Sequence, residues 1–147
     1  MKILKIRDVK TPTRGTAKSA GLDFYVPNDF QPTILPPFGS INIPSGIKVK
    51  LPHGFCLKLD NKSGVSLKKR LSVGATIIDE DYQGEIHLHV YNTSKETVEI
   101  EPGEKIVQGL LIPVSYELPI EVESLEELYE GETTSRGEGG FGSTGLR

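Results

Sequence analysis

Apolar and polar residues alternate in several short stretches of this chain, and the alternation predicts β-strands. In residues 85–91, Ile86, Leu88 and Val90 fall on one face, with charged, histidine and tyrosine side chains on the other. A period of two residues is typical of a strand that is buried on one side. Similar patterns occupy residues 1–6, 41–43, 47–51 and 55–59. We therefore expect a chain built mainly from short strands.

Glycine and proline separate these strands. The chain has 16 glycines and 10 prolines, about 18% of its residues against roughly 12% in average proteins. Turn signals that recur at short intervals favour an antiparallel sandwich or a closed barrel, so the expected fold class is all-β. Ser124 and Glu127 have the spacing of a helix capping box. One helical turn is predicted there, with a strand or an irregular acidic segment as the open alternative.

Composition narrows the classes of function. The chain has 147 residues, a formal net charge of −3, three histidines and a single cysteine, Cys56. It matches one domain, and it lacks the run of about 18 apolar residues that a membrane span needs. The acidic balance argues against a nucleic-acid partner, and so few thiols and imidazoles argue against a dedicated zinc site. We expect a cytoplasmic protein with neither a membrane nor a nucleic acid as its partner.

The last 17 residues differ from the rest of the chain. Residues 131–147 contain six glycines and one large apolar ring, Phe141. Such a segment buries too little surface to order itself, which predicts a flexible arm. Arg136 supplies a guanidinium fork, Ser143 and Thr144 supply hydroxyl groups, and glycines such as Gly140 leave backbone N–H groups accessible. These are the groups that bind phosphate, although a frayed terminus is the simpler alternative.

Two central segments carry further candidate chemistry. Lys62, Ser63 and Gly64 follow the strand at 55–59 and combine a cation, a hydroxyl and an exposed amide. That combination can hold an anion, and an ordinary basic turn is the alternative. The pattern of residues 74–84 predicts a hairpin, and Asp79 lies where the first strand ends and the turn begins. A carboxylate held there can accept a proton from an attacking water, although acids are common at hairpin tips.

Two other polar residues stand out from apolar surroundings. Asp23 is a lone acid within the apolar run 20–25, and beside a bound triphosphate it could hold the waters of Mg²⁺. An aspartate satisfied by backbone amides is the alternative. Gln108 is the one uncharged polar residue of the apolar strand after Gly103. A side chain of this kind needs a hydrogen-bond partner.

The order and spacing of these segments resemble the trimeric dUTPases, the deoxyuridine triphosphate nucleotidohydrolases. Five short motifs of that family occur here in order, at residues 20–23, 62–65, 78–84, 103–108 and 136–145. The resemblance implies a jelly-roll-like distorted β-barrel at residues 1–130 and a flexible arm at residues 131–147 that closes over the active site. It also implies a homotrimer with three shared sites.

The resemblance further implies a mechanism. Asp79 would be the general base for a water that attacks the α-phosphorus of dUTP, giving dUMP and pyrophosphate. Mg²⁺ would bind the triphosphate, with Asp23 contacting it through water. Tyr82 would pack under the deoxyribose and exclude a 2′-hydroxyl, and main-chain groups between Gly74 and Ile78 would bind the uracil edge.

The other substrate contacts implied by the resemblance divide between the barrel and the arm. Lys62, Ser63, Gly64 and Gln108 would contact phosphate. In the arm, Phe141 would cover the uracil, and the remaining substrate-binding residues would be Arg136, Gly140, Ser143 and Thr144.

Two positions depart from the family pattern. The second motif usually begins Pro-Arg-Ser-Gly, whereas this chain has Asn61 and Lys62 before Ser63. Lysine offers a point charge in place of a bidentate fork, which predicts a looser phosphate contact. Thr76 stands where glycine is common, and its branched side chain would narrow the uracil pocket.

Two alternative functions remain open. The related dCTP deaminases carry a glutamate two residues before a Tyr-Asn pair, where this chain has His89 before Tyr91 and Asn92. A nucleotide-gated regulatory protein with a protein partner would use the same motifs without needing turnover. The short chain suits a bacterial source or a phage-infected bacterial host.

Overall fold

The computed structural model describes residues 1–140, and the all-β prediction is confirmed within them. In chain order the elements are β1 (Lys2–Lys5), β2 (Leu22–Tyr25), β3 (Thr33–Leu35), β4 (Ser40–Pro44), β5 (Ile47–Lys50), β6 (Phe55–Asn61), α1 (Ser63–Lys69), β7 (Leu71–Val73), β8 (Ile77–Ile78), β9 (His87–Asn92), β10 (Val98–Ile100), β11 (Lys105–Pro113) and α2 (Leu125–Tyr129). The chain divides into two compact units, of which the first ends at Ser115 and the second begins at Tyr116. This division differs from the expected boundary after residue 130, which separates the predicted barrel from the predicted arm. That boundary stays a prediction.

The strands pair entirely antiparallel, in four sheets. The largest has the order β2-β11-β6-β8, and the next has the order β4-β9-β7. Two-stranded sheets join β1 with β5 and β10 with β3. No sheet closes on itself between residues 1 and 140, so the first unit is built from open sheets around a shared core.

The alternating pattern correctly predicts which side chains of residues 85–91 are buried. Ile86, Leu88 and Val90 are completely buried, whereas Tyr91 is exposed. The largest sheet adds fully buried residues from three of its strands: Phe24, Leu57, Leu59 and Val107. Gly109 leaves room for this packing, because a Cβ there would lie 2.7 Å from the Phe24 ring.

Helix α1 occupies the segment after β6, for which the sequence left an anion-binding loop and an ordinary basic turn as alternatives. It begins at Ser63, and the Ser66 N–H donates to the Lys62 carbonyl over 2.9 Å. None of its residues is buried, so the sequence carries no amphipathic pattern that would reveal it. Lys68 and Lys69 lie in the last turn, where positive charges interact favourably with the helix dipole and stabilise the helix. The helix was not predicted, because no apolar pattern marks it in the sequence.

Helix α2 decides between the alternatives left open near Ser124. The Ser124 Oγ accepts the Glu127 N–H over 3.1 Å, which caps the helix. The Glu127 carboxylate accepts the Glu123 N–H over 3.2 Å, one residue before the position that a standard capping box uses. The helical alternative is therefore the one that forms. Within residues 1–140, no helix is long and apolar enough to cross a membrane.

Candidate active site

The three acids that follow β8 have different environments. Glu80 is tied to the neighbouring loop, because its carboxylate accepts the Gly54 N–H over 2.8 Å and contacts His53 Nδ1 at 3.1 Å. Asp79 is exposed, and no hydrogen bond or ion pair holds its carboxylate within residues 1–140. The Asp79 carbonyl accepts the Tyr82 N–H over 3.2 Å, which closes the turn. Glu80 thus anchors the turn, while the Asp79 carboxylate stays available to take a proton.

A cavity of about 240 Å³ lies beside Asp79. Its wall includes Ala75, Ile77, Ile78 and Tyr82. The Tyr82 hydroxyl donates to the Glu85 carbonyl over 2.9 Å, which holds the ring in place. The remaining lining residues are Asn42, Glu85 and His87. The cavity therefore combines a carboxylate, an aromatic ring and a strand backbone.

The backbone at this cavity belongs to an edge strand. β8 is the outermost strand of the largest sheet, and Ile78 pairs with Leu57 on β6. Only one side of β8 is paired in the described sheet, so its other side presents N–H and C=O groups. Gly74 precedes β8 and has no space for a side chain, since a Cβ there would lie 2.3 Å from His89 Nδ1.

A second group of predicted residues gathers where β6 ends and α1 begins. Lys62, Ser63 and Gly64 follow each other there, and Gln108 lies on the adjacent β11. The Gln108 side chain has the hydrogen-bond partner that was expected for it. Its Nε2 donates to the Asn61 carbonyl over 2.7 Å. Because β11 pairs with both β2 and β6, parts of the first and fourth motifs lie on one sheet, and the second motif follows the end of β6 in that sheet.

Asp23 lies in this second group and is bound by two lysines. It is only 5% exposed, and it pairs with Lys62 through Oδ1 and with Lys105 through Oδ2, the latter at 3.1 Å. Burial alone would raise the pKa of Asp23, but hydrogen bonds and charge from the two lysines outweigh it and leave the pKa lowered. Sequence reasoning missed Lys105, although it lies inside the fourth motif.

The lysines bear directly on the predicted magnesium contact. Each carboxylate oxygen of Asp23 already faces an ammonium group. That arrangement does not fit a carboxylate that holds the hydration shell of a cation. Among residues 1–140, no cluster of three His, Cys, Asp or Glu residues could hold a metal ion.

The two groups of site residues lie at opposite ends of β6. Ile78 faces Leu57 near the start of that strand, whereas Lys62 follows its last residue. At about 3.3 Å per residue, the stretch from Leu57 to Lys62 spans roughly 16 Å. One chain therefore holds the Asp79 cavity and the Lys62 group apart.

The predicted arm residues are only partly described. Arg136 is exposed in the second unit, and its Nε donates to the Gly139 carbonyl over 2.9 Å. Gly140 is exposed and has open space around it. Phe141, Ser143 and Thr144 lie outside the described residues, so their roles stay predictions.

Known proteins resemble this chain along nearly its whole length. The family model for dUTPase matches residues 7–145. A deoxyuridine 5′-triphosphate nucleotidohydrolase of Hydrogenobaculum sp. is 38% identical, with both chains covered completely. One from Dictyoglomus turgidum is 39% identical over 95% of this chain and 93% of the relative. The human mitochondrial enzyme is 37% identical over 91% of this chain, which spans only 50% of that longer relative.

Solved structures of phage dUTPases have the same fold as this chain. The dUTPase of Staphylococcus bacteriophage 80alpha with dUPNHPP superposes with a TM-score of 0.85, covering 99% of this chain and 98% of the phage chain at 24% identity. A dUTPase from phage phi11 of S. aureus, in which a structural Mg(II) ion is coordinated, gives a TM-score of 0.76 at 22% identity, covering 85% of this chain and 97% of its own. The family match over residues 7–145 and the relatives that are 38% and 39% identical show that the chain belongs to the dUTPase family.

Proposed function

We propose that this protein hydrolyses dUTP to dUMP and pyrophosphate. The observation that carries the proposal is the Asp79 carboxylate, which stands unpaired within residues 1–140 beside a cavity walled by an edge strand and Tyr82. The relatives of this chain are named for the hydrolysis of deoxyuridine 5′-triphosphate.

Asp79 supplies the base in this proposal. Its carboxylate takes a proton from a water, whose oxygen forms a bond to the α-phosphorus. The bond from that phosphorus to the bridging oxygen breaks, and pyrophosphate leaves. Such a displacement depends on positioning and charge neutralisation more than on covalent help from the protein.

The base and sugar fit the cavity beside Asp79. The free side of β8 offers N–H and C=O groups, which complement the donor and acceptors on the uracil edge. The Tyr82 ring, fixed by its bond to Glu85, packs under the deoxyribose and leaves no room for a 2′-hydroxyl.

The phosphates are assigned to the group at the end of β6. Ser63 and Gly64 are both exposed, and Gln108 lies beside them on β11. Lys62 reaches a phosphate only by turning away from Asp23, which keeps Lys105 as its partner. Because Asp23 does not fit the predicted Mg²⁺ contact, we assign no step to a metal ion held by this residue.

A complete site needs more than one copy of the chain. The Asp79 cavity and the Lys62 group lie at opposite ends of β6, so a compact substrate reaches both only where one copy meets another. The second unit also leaves Leu118 and Ile120 85% and 87% exposed, which an assembly would cover. Both observations support the predicted homotrimer, with the arm completing each site.

A pyrophosphate-release assay with dUTP, dTTP, dCTP and UTP tests this function. We expect selective turnover of dUTP. Equal turnover of UTP would refute the role given to Tyr82, and release of ammonia from dCTP would revive the deaminase alternative. Nucleotide binding without any turnover would favour the nucleotide-gated regulatory protein.

A further inference from the structure

The segment between β7 and β8 changes its strand partner within three residues. The Gly74 N–H donates to the His89 carbonyl over 2.9 Å, which continues the pairing of β7 with β9. Two residues later, the Thr76 carbonyl accepts the Leu59 N–H over 2.6 Å, in the sheet that contains β6 and β8. Ala75 lies at the crossing between the two sheets.

A side chain binds the backbone at this crossing. The Ala75 N–H donates to Nδ1 of His89 over 3.2 Å. His89 thus uses its carbonyl for Gly74 and its ring for Ala75. Ala75 is exposed at this crossing, and the ring nitrogen of His89 is the partner that its N–H has within residues 1–140.

The imidazole ring is also held by packing. The Gly74 backbone lies so close that a Cβ there would be 2.3 Å from His89 Nδ1 and 2.7 Å from Cε1. The centroid of the Tyr91 ring is 4.7 Å from that of His89, at an interplanar angle of 58°. The close Gly74 backbone therefore leaves the His89 ring little freedom to turn, whereas the exposed Tyr91 ring only lies alongside it.

From this geometry we propose that His89 is a positioning residue for recognition of the pyrimidine base. Its Nδ1 fixes the crossing at Ala75, and so sets the course of the backbone that leads into β8, whose free side the proposed function assigns to the uracil edge. To accept a hydrogen bond, Nδ1 carries a lone pair, and the ring proton of the neutral imidazole then sits on Nε2. This inference rests on the proposed function and names a determinant of its substrate specificity.

A matched pair of substitutions tests the acceptor role. His89→Leu and His89→Asn have similar sizes, but only asparagine keeps an acceptor near the position of Nδ1. Losing one hydrogen bond predicts that His89→Leu raises the KM for dUTP about fivefold to tenfold while kcat stays within about twofold. His89→Asn should recover most of the lost affinity, and the preference for dUTP over dCTP should fall only in the leucine variant.

Tyr91→Leu separates hydrogen bonding from packing. It removes the ring beside His89 but leaves the acceptor, so the KM should change by less than about twofold. If Tyr91→Leu raises the KM as much as His89→Leu, or if the leucine and asparagine variants behave alike, the inference is overturned. Should His89→Leu fail to fold, His89→Val provides a second apolar variant suited to a strand.

The wild-type assay keeps this inference separate from the proposed function. If the unmodified protein does not turn over dUTP, the proposed function fails. If it does, and His89→Leu leaves both KM and base preference unchanged, only the role of His89 fails.

Discussion

The ammonium group of Lys62 is bonded to the buried carboxylate of Asp23, although the two residues lie 39 positions apart. Lys105 approaches the other carboxylate oxygen at 3.1 Å. The cation that the second motif contributes is therefore already paired inside the first unit. In the proposed function, binding of a phosphate by Lys62 would exchange one anionic partner for another, and Lys105 would remain paired with Asp23.

Removing the charge of Asp23 tests this arrangement. Asp23→Asn leaves two lysines without their carboxylate, and we expect the free energy of unfolding near neutral pH to fall by about 2 kcal/mol. Urea unfolding of both proteins measures the change. Asp60→Asn is the control, since Asp60 also pairs with a lysine but is half-exposed, and it should cost well below 1 kcal/mol.

The pH dependence of that difference follows from the lowered pKa of Asp23. A carboxyl whose pKa is lower in the folded than in the unfolded state stabilises the fold above the unfolded value, here near 3.8. The contribution fades as the pH falls through the lower native pKa. The gap in unfolding free energy between wild type and Asp23→Asn should therefore be full near pH 7 and shrink below about pH 4. A gap that widens on acidification would contradict the assignment.

Lys62→Arg tests the departure from the family pattern. A guanidinium fork can bind Asp23 and a phosphate together, whereas one ammonium exchanges between them. The KM for dUTP should fall about twofold to fivefold, with kcat less affected. Lys105→Arg is the matched control and should leave the KM unchanged. Equal effects of the two substitutions would argue against a phosphate contact by Lys62.

Gly74→Ala tests the close approach of His89 and Tyr91 to the backbone that we propose binds the base. The added Cβ would lie 2.3 Å from His89 Nδ1 and 2.6 Å from the Tyr91 ring, so the backbone or the rings must shift. We expect a stability loss of about 1–3 kcal/mol and weaker binding of dUTP, measured by urea unfolding and calorimetry. In Gly15→Ala the nearest contact is an ordinary 3.5 Å, and neither quantity should change beyond about 0.5 kcal/mol.

A chain that stops at Glu132 tests the arm. It loses Arg136 and the glycine-rich residues that follow, while the first unit stays complete. If the arm closes over the site and excludes water, turnover of dUTP should drop by about 100-fold or more, with the melting temperature unchanged. Full turnover by the shortened chain would remove the arm from the mechanism.

The sequence predicts the strands well because their signal is local. Alternation marks β9 and its buried face, and the fully buried Ile86, Leu88 and Val90 confirm it. Helix α1 escapes prediction because it buries none of its residues and so has no apolar stripe to detect. The helix is short and connects the end of β6 to the start of β7.

The site is harder to predict than the fold because its contacts are distant in sequence. The motifs identify Asp23, Lys62 and Asp79, but their pattern does not show that Asp23 is paired with lysines. Nor does it show that the His89 ring binds the Ala75 backbone. Such contacts depend on strand register, and only the structure supplies the register.

In the proposed mechanism, the Asp79 carboxylate takes the proton from the attacking water. Single-turnover hydrolysis of dUTP by Asp79→Asn tests it most directly, with nucleotide binding measured in parallel and Asp81→Asn as the matched control. Asp81 follows in the same turn and is also exposed, but it does not line the cavity beside Asp79. We expect Asp79→Asn to bind dUTP with near-normal affinity and to hydrolyse it at least about 1,000-fold more slowly, while Asp81→Asn keeps its rate. Hydrolysis by Asp79→Asn within about tenfold of the wild-type rate would contradict the proposed mechanism.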